Sequence, residues 1–302
     1  MFPGQVWEWA ASVILLSWAL EARRNRHAGA GVLWLRVNYG SDLTQSGHKG
    51  RLMERCEYNK LDCLEDRMWW FAANHRNLLT LSWQQMSHEA GGQPILDAGC
   101  GTGGFLAQLA TRYPNRALFG LDADPLACQR AAAKSLRPVC VGSINALPFR
   151  EGTFAAVFSV DVLCHSAVDE HSALQQFYHC LANNGWLFVN VPAYSWMLSA
   201  HDAAVHNVRR FTAKGLTRLL EAAGFRIVYA TYWNAILFPL MVATRKFLRR
   251  GRTSDVREYP RSIDALCRVA TTLETTLLRN GVRLPFGGSV ISIATKGRRD
   301  CG

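Results

Sequence analysis

The sequence predicts an α/β protein built on a parallel sheet that is covered by helices on both faces. Apolar, strand-like segments alternate with helix-like segments over most of the chain, which is typical of such sheets. A glycine-rich turn joins the first of these strands directly to a helix. The chain has 302 residues, 49% of them hydrophobic, so it can bury a large core, and one elaborated domain is favoured over two small ones.

Residues 1–52 differ in character from the rest of the chain. Their longest uncharged run, residues 9–20, is too short for a membrane-spanning helix, which needs about 20 apolar residues. The run lies between Glu8 and Glu21, whereas a signal peptide usually begins with positive charge. We interpret residues 1–52 as an extension that is either poorly ordered or upstream of the natural start. An ordered domain is predicted for residues 53–297.

Each element of this domain follows from its pattern of apolar residues. Helical spacing of apolar and aromatic residues predicts a helical lead-in over residues 67–81. Residues 93–232 are predicted as the core of the domain, residues 233–285 as a helical insertion or lid, and residues 286–297 as the last strand. This strand, in GGSVISIATK, alternates in polarity as an exposed edge strand does. The core strands are predicted at residues 95–96, 117–121, 139–141, 155–160, 186–191 and 226–231.

The turn after the first strand, PILDAGCGTGGF at residues 94–105, predicts a ligand site. Glycines permit positive φ and leave no Cβ between the chain and a ligand at the helix N-terminus. The turn satisfies the G-x-G-x-x-G dinucleotide fingerprint, and Asp122 lies about 20 residues beyond it, where a carboxylate binds ribose hydroxyls. The glycines alone therefore leave an NAD-linked oxidoreductase open. Asp97 argues against it, because dinucleotide folds usually carry apolar residues there, and its oxygens could orient the turn or meet a cationic ligand.

Four motifs in order resemble those of the class I S-adenosylmethionine-dependent methyltransferases. The first is DAGCGTG at residues 97–103, the second is LFGLDADP at 118–125, and the next two lie in VGSINALPFREGTFAAVFSVDVLCH at 141–165. Within that superfamily the chain is most similar to a bacterial group with three further features. These are WWF at 69–71, VPAYSWMLSAHDAAVHNVRRFTAKGLTRLLEAAGF at 191–225 and LPFGGSV at 284–290.

The resemblance implies a fold, a cofactor and a set of cofactor-binding residues. The fold is a Rossmann-like, doubly wound, seven-stranded sheet whose last strand runs antiparallel beside the strand near residues 226–231. The cofactor is S-adenosylmethionine. Many relatives carry an aspartate for the adenine amino group where this chain has Ser143, which either takes that role through its hydroxyl or is an ordinary turn residue. The implied cofactor-binding residues are Asp97, Gly99, Cys100, Gly101, Gly103, Asp122, Ala123, Ser143, Ile144 and Asp161.

Methyl transfer mainly needs alignment and desolvation, and an oxygen or nitrogen acceptor also needs a proton removed. A histidine suits that task near neutral pH. His206 is the favoured general base because it precedes two arginines by a few residues. His165 either acts as a base or packs beside the cofactor. His201 and Asp202 are either a base oriented by its carboxylate or a surface histidine beside a helix N-cap.

The same loop predicts acceptor-binding residues. Tyr194, Arg209 and Arg210 are placed to meet an anionic or hydroxyl-bearing acceptor, although each arginine could instead pair with an acidic neighbour. No metal is predicted, because His201 and His206 are five residues apart rather than the four that place two ligands on one helix face.

Charge and cysteine content limit the partners. The net charge is +11, with basic residues concentrated in local clusters. Residues 233–252 join an uncharged run to one of these clusters, and they predict either a lid over the substrate or a contact with a membrane interface. No nucleic-acid module is recognisable, which disfavours nucleic acid. Nine scattered cysteines favour reduced thiols in a cytoplasmic protein, at the inner membrane face if residues 233–252 bind lipid.

The leading hypothesis is therefore a methyltransferase that acts on an O, N or C atom of a small-molecule, glycan-linked or lipid-linked acceptor. A non-catalytic S-adenosylmethionine-binding scaffold is a second hypothesis, and the NAD-linked oxidoreductase is a third. The sequence leaves the oligomeric state open.

Overall fold

A single seven-stranded sheet organises the protein. The computed structural model describes residues 55–87, 92–245 and 259–297, so the predicted extension over residues 1–52 lies outside the described residues. The strand order is β3-β2-β1-β4-β5-β7-β6, which confirms the doubly wound sheet. The strands are β1 (Ile95–Ala98), β2 (Leu118–Asp122), β3 (Val139–Val141), β4 (Phe154–Val160), β5 (Leu181–Pro192), β6 (Phe225–Trp233) and β7 (Ser289–Lys296).

Helices lie on both faces of this sheet. The predicted helical lead-in and the helical insertion before the last strand are both confirmed. The helices are α1 (Arg55–Leu64), α2 (Trp69–Met86), α3 (Gly104–Arg112), α4 (Pro125–Ser135), α5 (Glu170–Cys180), α6 (Ala200–Ala204), α7 (Ala213–Ala222), α8 (Phe238–Ala243) and α9 (Arg261–Arg279). Within the described ranges, no helix is long and apolar enough to cross a membrane.

The first four strands are parallel, so their carboxyl ends share one edge of the sheet. β1 pairs with β2 through Leu96 and Phe119, and with β4 through Leu96 and Val157. All four residues of β1 are buried, because helices cover the sheet above and below. The turns that follow β1, β2 and β4 are thereby brought together at one edge, where ligands bind in sheets of this class.

The last strand is antiparallel, as predicted, but its position differs from that of an exposed edge strand. β7 lies between β5 and β6, and all eight of its residues are buried. Val290 and Ala294 pack into the core on one face of the sheet, whereas Ile291 and Ile293 pack into the core on the other. The alternation with serine and threonine therefore does not mark a solvent-facing side.

The lead-in and the insertion pack against each other. The Arg76 guanidinium on α2 donates hydrogen bonds to Thr275 Oγ1 at 3.1 Å and to Thr271 Oγ1 at 3.2 Å, both on α9. Thr275 Oγ1 in turn donates to Asn77 Oδ1 at 2.6 Å. These contacts join segments almost 200 residues apart, and they hold α9 beside the ligand edge of the sheet.

Candidate functional site

A cavity of about 510 Å³ lies at the carboxyl ends of the parallel strands. Its volume is within the range of roughly 300–1,000 Å³ that small-molecule sites occupy. One wall, the cofactor wall, comes from the turns after β1, β2, β3 and β4, and the opposite wall, the lid wall, comes from α8, α9 and the loop around α6. The cavity therefore extends from the carboxyl edge of the sheet to the insertion.

The glycine turn after β1 has the geometry that only glycine adopts without strain. Gly99, Gly101 and Gly103 have φ values of 88°, 52° and 89°. A Cβ on Gly99 would lie 2.3 Å from Val162 Cγ2, and one on Gly103 would lie 2.5 Å from Ala131 Cα. Gly99 and Gly101 line the cavity, whereas Gly103 allows α3 to approach α4 closely. The turn thus presents backbone at the cavity surface.

Asp122 lies at the end of β2 and is bound to this turn. Its Oδ2 accepts the Gly101 backbone N–H at 2.9 Å, and its Oδ1 accepts the Asp124 N–H at 3.0 Å. Burial raises the pKa of the Asp122 carboxyl, while these two hydrogen bonds lower it. Each oxygen keeps a further lone pair, so the side chain can also accept hydrogen bonds from a vicinal diol.

Asp97 stands in β1 just before the glycines and is 1% exposed. Its Oδ2 is buried without a hydrogen-bond partner, although it lines the cavity. Burial raises the pKa of the carboxyl to about 8, and the neighbouring carboxylates of Asp122 and Glu65 contribute to the increase. A buried acceptor of this kind is costly unless a ligand pairs with it.

Four more of the predicted cofactor-binding residues lie at this wall. Cys100, Ala123, Ser143 and Ile144 all line the cavity. Ser143 Oγ accepts the Asn145 N–H at 3.2 Å, so the hydroxyl caps its own turn and can still donate a hydrogen bond. The structure shows the turn role of Ser143 and places the residue at the cavity, and its contact with an adenine stays a prediction.

Asp161 follows β4 with a φ of 57° and faces the cavity between the two walls. Its carboxylate accepts hydrogen bonds from Asn190 Nδ2 at 3.0 and 3.1 Å and from Asn74 Nδ2 at 3.2 Å. Asn190 is fixed by the indole N–H of Trp233, which donates to its Oδ1 at 2.7 Å. Burial raises the pKa of the Asp161 carboxyl to about 7, although Asn190 and Arg210 lower it.

Sequence reasoning did not assign any cavity residue to α1. Tyr58 and Leu61 of α1 line the cavity, as does Glu65 just after the helix. Thr102 Oγ1 in the glycine turn donates to Glu65 Oε1 at 2.6 Å, and Lys134 of α4 forms an ion pair with the same carboxylate. In the sequence, Tyr58, Leu61 and Glu65 recur at helical spacing. That spacing predicts one face of a helix, but it does not indicate that this face binds a ligand.

The part of the lid wall that α8 and α9 form is mostly apolar. Leu237, Leu240 and Met241 from α8 and its N-terminal flank face the cavity, together with Ile263 and Cys267 from α9. The aromatic triplet of α2 lines the same region with Trp69, Trp70 and Phe71. Lys246 to Arg252, the basic part of the segment for which lid and membrane roles were predicted, lie outside the described residues.

Asp202 and Arg210 form a buried ion pair at the lid wall. Two Arg210 nitrogens, Nε and Nη2, donate to Asp202 at 2.8 to 3.0 Å, and Nη1 donates to the Ala193 carbonyl at 3.0 Å. Asp202 Oδ2 also accepts the Ser199 N–H at 2.8 Å in the capping box of α6, in which Asp202 is the third helical residue rather than the N-cap. The carboxylate is therefore committed to Arg210 and Ser199.

The predicted histidines differ in their positions relative to the cavity. His165 and His201 line the cavity, but His206 is not among the described residues that do. His206 has a φ of 56°, and its Nε2 is buried without a hydrogen-bond partner. Burial lowers the pKa of the His165 imidazole to about 4, and the nearby His206 contributes to the decrease. His165 is consequently neutral at physiological pH.

Two of the predicted acceptor-binding residues also lie behind the cavity surface. Arg209 forms an ion pair with Glu170 and donates to the His165 carbonyl at 2.5 Å. Tyr194 stacks on Tyr232 with ring centroids 5.2 Å apart. Within the described part of the chain no cluster of three or more His, Cys, Asp or Glu side chains has a metal-binding arrangement.

Comparison with known proteins agrees with this architecture. Residues 95–185 match the family model of a methyltransferase domain. The chain is 27% identical to methyltransferase str2 of Strobilurus tenacellus over 171 residues, which is 56% of this chain and 57% of that protein. It is 26% identical to a probable S-adenosylmethionine-dependent methyltransferase of Mycolicibacterium smegmatis over 54% of this chain and 62% of that protein. The chain thus spans less than two thirds of the length of either relative.

Solved structures show the same fold at lower identity. Geranyl diphosphate C-methyltransferase from Streptomyces coelicolor is similar with a TM-score of 0.50 and 14% identity, over 72% of this chain and 74% of that one. At this identity the similarity concerns the fold. The family-model match over residues 95–185, the two sequence relatives and the sheet with its antiparallel β7 together support a class I S-adenosylmethionine-dependent methyltransferase domain.

Proposed function

We propose that this protein transfers a methyl group from S-adenosylmethionine to an O, N or C atom of a small-molecule acceptor. The observation that carries the proposal is the pairing of two acidic groups on the cofactor wall: Asp122, which is fixed by the glycine turn, and Asp97, whose buried Oδ2 has no partner. Asp122 fits a ribose diol and Asp97 fits a cationic group, and S-adenosylmethionine has both. When bound, this cofactor supplies an activated methyl group on a positively charged sulfur.

The other residues of the cofactor wall support the same ligand. The backbone of Gly99 and Gly101 permits close approach, and Ser143 and Ile144 fit beside an adenine. A dinucleotide is less well matched, because Asp97 would be left unpaired by its phosphates. The strand order, with β7 between β5 and β6, also differs from the 3-2-1-4-5-6 order of dinucleotide-binding sheets.

The residues of the lid wall would exclude water and handle the acceptor proton. We propose His201 for this role among the predicted histidines, since it lines the lid side of the cavity and belongs to the predicted acceptor loop. His165 is neutral but is held against backbone groups of Val205 and Asp161, which makes it a positioning residue. Asp202 and Arg210 would hold the loop in place through their buried pair.

A glycan-linked or lipid-linked acceptor is a second candidate. The apolar lid wall formed by Leu237, Leu240 and Met241 favours a lipid over a polar sugar. A lipid-linked acceptor would place the protein at a membrane surface.

The proposal is tested by incubating purified protein and methyl-labelled S-adenosylmethionine with fractionated cell extract. We expect label to move into one small-molecule or lipid fraction, and to stay in the cofactor when the Asp122→Ala variant is used. Tight cofactor binding without any labelled product would support the non-catalytic scaffold instead. A thermal stabilisation by NAD, without one by S-adenosylmethionine, would support the oxidoreductase.

A further inference from the structure

Two neighbouring polar side chains of α2, Asn74 and His75, are buried at the cavity. Their exposed fractions are 1% and 4%, and both residues line the cavity. The proposed function gives neither of them a role. A buried polar side chain costs free energy unless its donors and acceptors are paired, so the partners of these two side chains indicate what they can bind.

Asn74 presents a hydrogen-bond acceptor to the cavity. Its Nδ2 donates to Asp161 Oδ2 at 3.2 Å, which fixes the orientation of the amide. Asp161 is itself held by Asn190 Nδ2 at 3.0 and 3.1 Å. The other end of the amide, Asn74 Oδ1, is buried and has no hydrogen-bond partner among the residues that the structure describes. A ligand that brings an N–H donor would satisfy this oxygen.

His75 presents a hydrogen-bond donor. Gln108 Nε2 donates to His75 Nδ1 at 2.9 Å, so Nδ1 is the acceptor and the ring proton lies on Nε2. Burial lowers the pKa of the imidazole to about 3, and nearby Lys134 contributes to the decrease, so the ring is neutral. The ring also packs on Phe105, with centroids 5.1 Å apart. Phe105 and Gln108 belong to α3, the helix that begins at the glycine turn.

The strand order places this pair of side chains beside one end of the cofactor wall. The order is β3-β2-β1-β4, so Asp122 after β2 and Asp161 after β4 lie on either side of β1. With the ribose at Asp122 and the adenine at Ser143 after β3, the remaining part of the cofactor extends over β1 towards β4. That part is the amino-acid end, and it extends towards Asp161, which Asn74 contacts.

We propose that Asn74 and His75 bind the amino-acid end of S-adenosylmethionine. Asn74 Oδ1 accepts a hydrogen bond from the ammonium group, and His75 Nε2–H donates one to the carboxylate. The ammonium and the carboxylate share one carbon atom, so an acceptor and a donor on adjacent residues of one helix match them. The proposal rests on the cofactor named in the proposed function, but it does not depend on turnover. It assigns to α2, which lies before the matched residues 95–185, a part of the cofactor site.

The test is isothermal titration calorimetry of the full chain with three probes. S-adenosylmethionine carries both charged groups, decarboxylated S-adenosylmethionine keeps only the ammonium, and 5′-methylthioadenosine has neither. His75→Phe keeps a ring but removes the donor, so it should weaken binding of S-adenosylmethionine by about tenfold or more and leave the other two probes unaffected. Asn74→Leu should weaken both S-adenosylmethionine and its decarboxylated form by a similar factor and leave 5′-methylthioadenosine unaffected.

Two further variants serve as controls. His75→Gln keeps a side-chain N–H and should retain most of the affinity that His75→Phe loses. His171→Phe makes the same change at an exposed histidine of α5 that is not among the described cavity residues, and it should leave all three dissociation constants unaltered. Binding of 5′-methylthioadenosine shows that the cofactor wall of each variant is folded.

The pattern across the probes decides the outcome. Equal losses for all three probes in His75→Phe and Asn74→Leu, or no loss for any, would overturn the proposal while the proposed function stands. If His75→Phe does not fold, the same comparison in Asn74→Leu decides. A parent protein that binds none of the probes would overturn the proposed function together with this inference.

Discussion

Asp122 Oδ2 accepts the backbone N–H of Gly101 at 2.9 Å, so the acid at the end of one strand fixes the glycine turn after the neighbouring strand. The Asp122 carboxylate and the glycine turn are thus held together by a direct hydrogen bond. A change at Asp122 acts both on direct contacts with a ligand and on the conformation of the turn.

We expect Asp122→Ala to weaken S-adenosylmethionine binding by about a hundredfold. Two charge-assisted hydrogen bonds to a diol, at roughly 1.5 kcal/mol each, account for a loss of this size. Isothermal titration calorimetry measures the dissociation constant. Asp122→Asn keeps one acceptor oxygen, so its dissociation constant should lie between those of Asp122→Ala and the parent protein. An unchanged dissociation constant in both variants would show that Asp122 is not part of the site.

Gly103→Ala should destabilise the fold more than Gly152→Ala. Both glycines have left-handed backbone, with φ values of 89° and 70°, so each alanine costs about 1–2 kcal/mol in conformation. Only the Gly103 variant adds a clash, because its Cβ would lie 2.5 Å from Ala131 Cα, whereas nothing lies within 4 Å at Gly152. Overpacking adds about 1–3 kcal/mol, which urea unfolding resolves. Equal losses in the two variants would contradict the close approach of α3 and α4.

Breaking the Asp202–Arg210 pair should cost about 3–5 kcal/mol, because Asp202→Asn leaves a buried guanidinium without its carboxylate. The side chains are only 2% and 4% exposed. The neighbouring Arg209–Glu170 pair is a matched control, since its side chains are 28% and 24% exposed and Glu170→Gln should cost about 0–1 kcal/mol. Chemical denaturation measures the free energy of unfolding of both variants. A loss of stability in Glu170→Gln as large as that in Asp202→Asn would refute the prediction.

Asp97 should make stability depend on pH in a defined direction. Its pKa in the folded protein is about 8, above the unfolded value of about 3.9, so the folded state binds the extra proton. The free energy of unfolding of the parent, relative to Asp97→Asn, should therefore fall as pH rises from about 4 to about 8. A cationic ligand should favour the ionised carboxyl and release a proton on binding, which calorimetry in buffers of different ionisation enthalpy detects. A difference between parent and variant that stays constant over this window would be evidence against a buried neutral Asp97.

His201→Ala and His206→Ala should have different kinetic effects. If His201 removes the acceptor proton, its loss lowers turnover by about 10²–10⁴ and leaves cofactor affinity nearly unchanged. His206 is not among the described cavity residues, so His206→Ala should mainly affect the stability of the loop. The reverse outcome, in which His206→Ala alone lowers turnover at unchanged stability, would restore the original sequence prediction of His206 as the base.

Local sequence patterns were sufficient to predict that the residues of the cofactor wall lie together. Positive φ is required in the glycine turn, and the carboxylates of Asp97 and Asp122 end adjacent parallel strands, so strand order alone brings them together. The adjacent arginines show the limit of this reasoning. Arg209 and Arg210 are adjacent in the chain, yet of the two only Arg210 lines the cavity. Which of the two points inward depends on tertiary contacts with Glu170 and Asp202.

Long-range packing also decided the features that sequence reasoning missed. β7 has the alternating pattern of an edge strand, yet β5 and β6 pair with both of its edges, and core side chains cover both faces. The contribution of α1 depends on Glu65 reaching Thr102 across 37 residues. Neither contact has a short motif, because each results from the arrangement of distant segments.

The placement of β7 has a consequence for how this protein can change over evolution. Trp233 at the end of β6 and Ser289 at the start of β7 are antiparallel partners, so the long excursion between them leaves and re-enters the sheet at neighbouring positions. The segment between β6 and β7 can therefore be exchanged as a whole, since a short hairpin could join the two strands without altering their pairing. Under the proposed function, replacing residues 234–288 is expected to change the acceptor that binds, while the turns after β1 to β4 are retained.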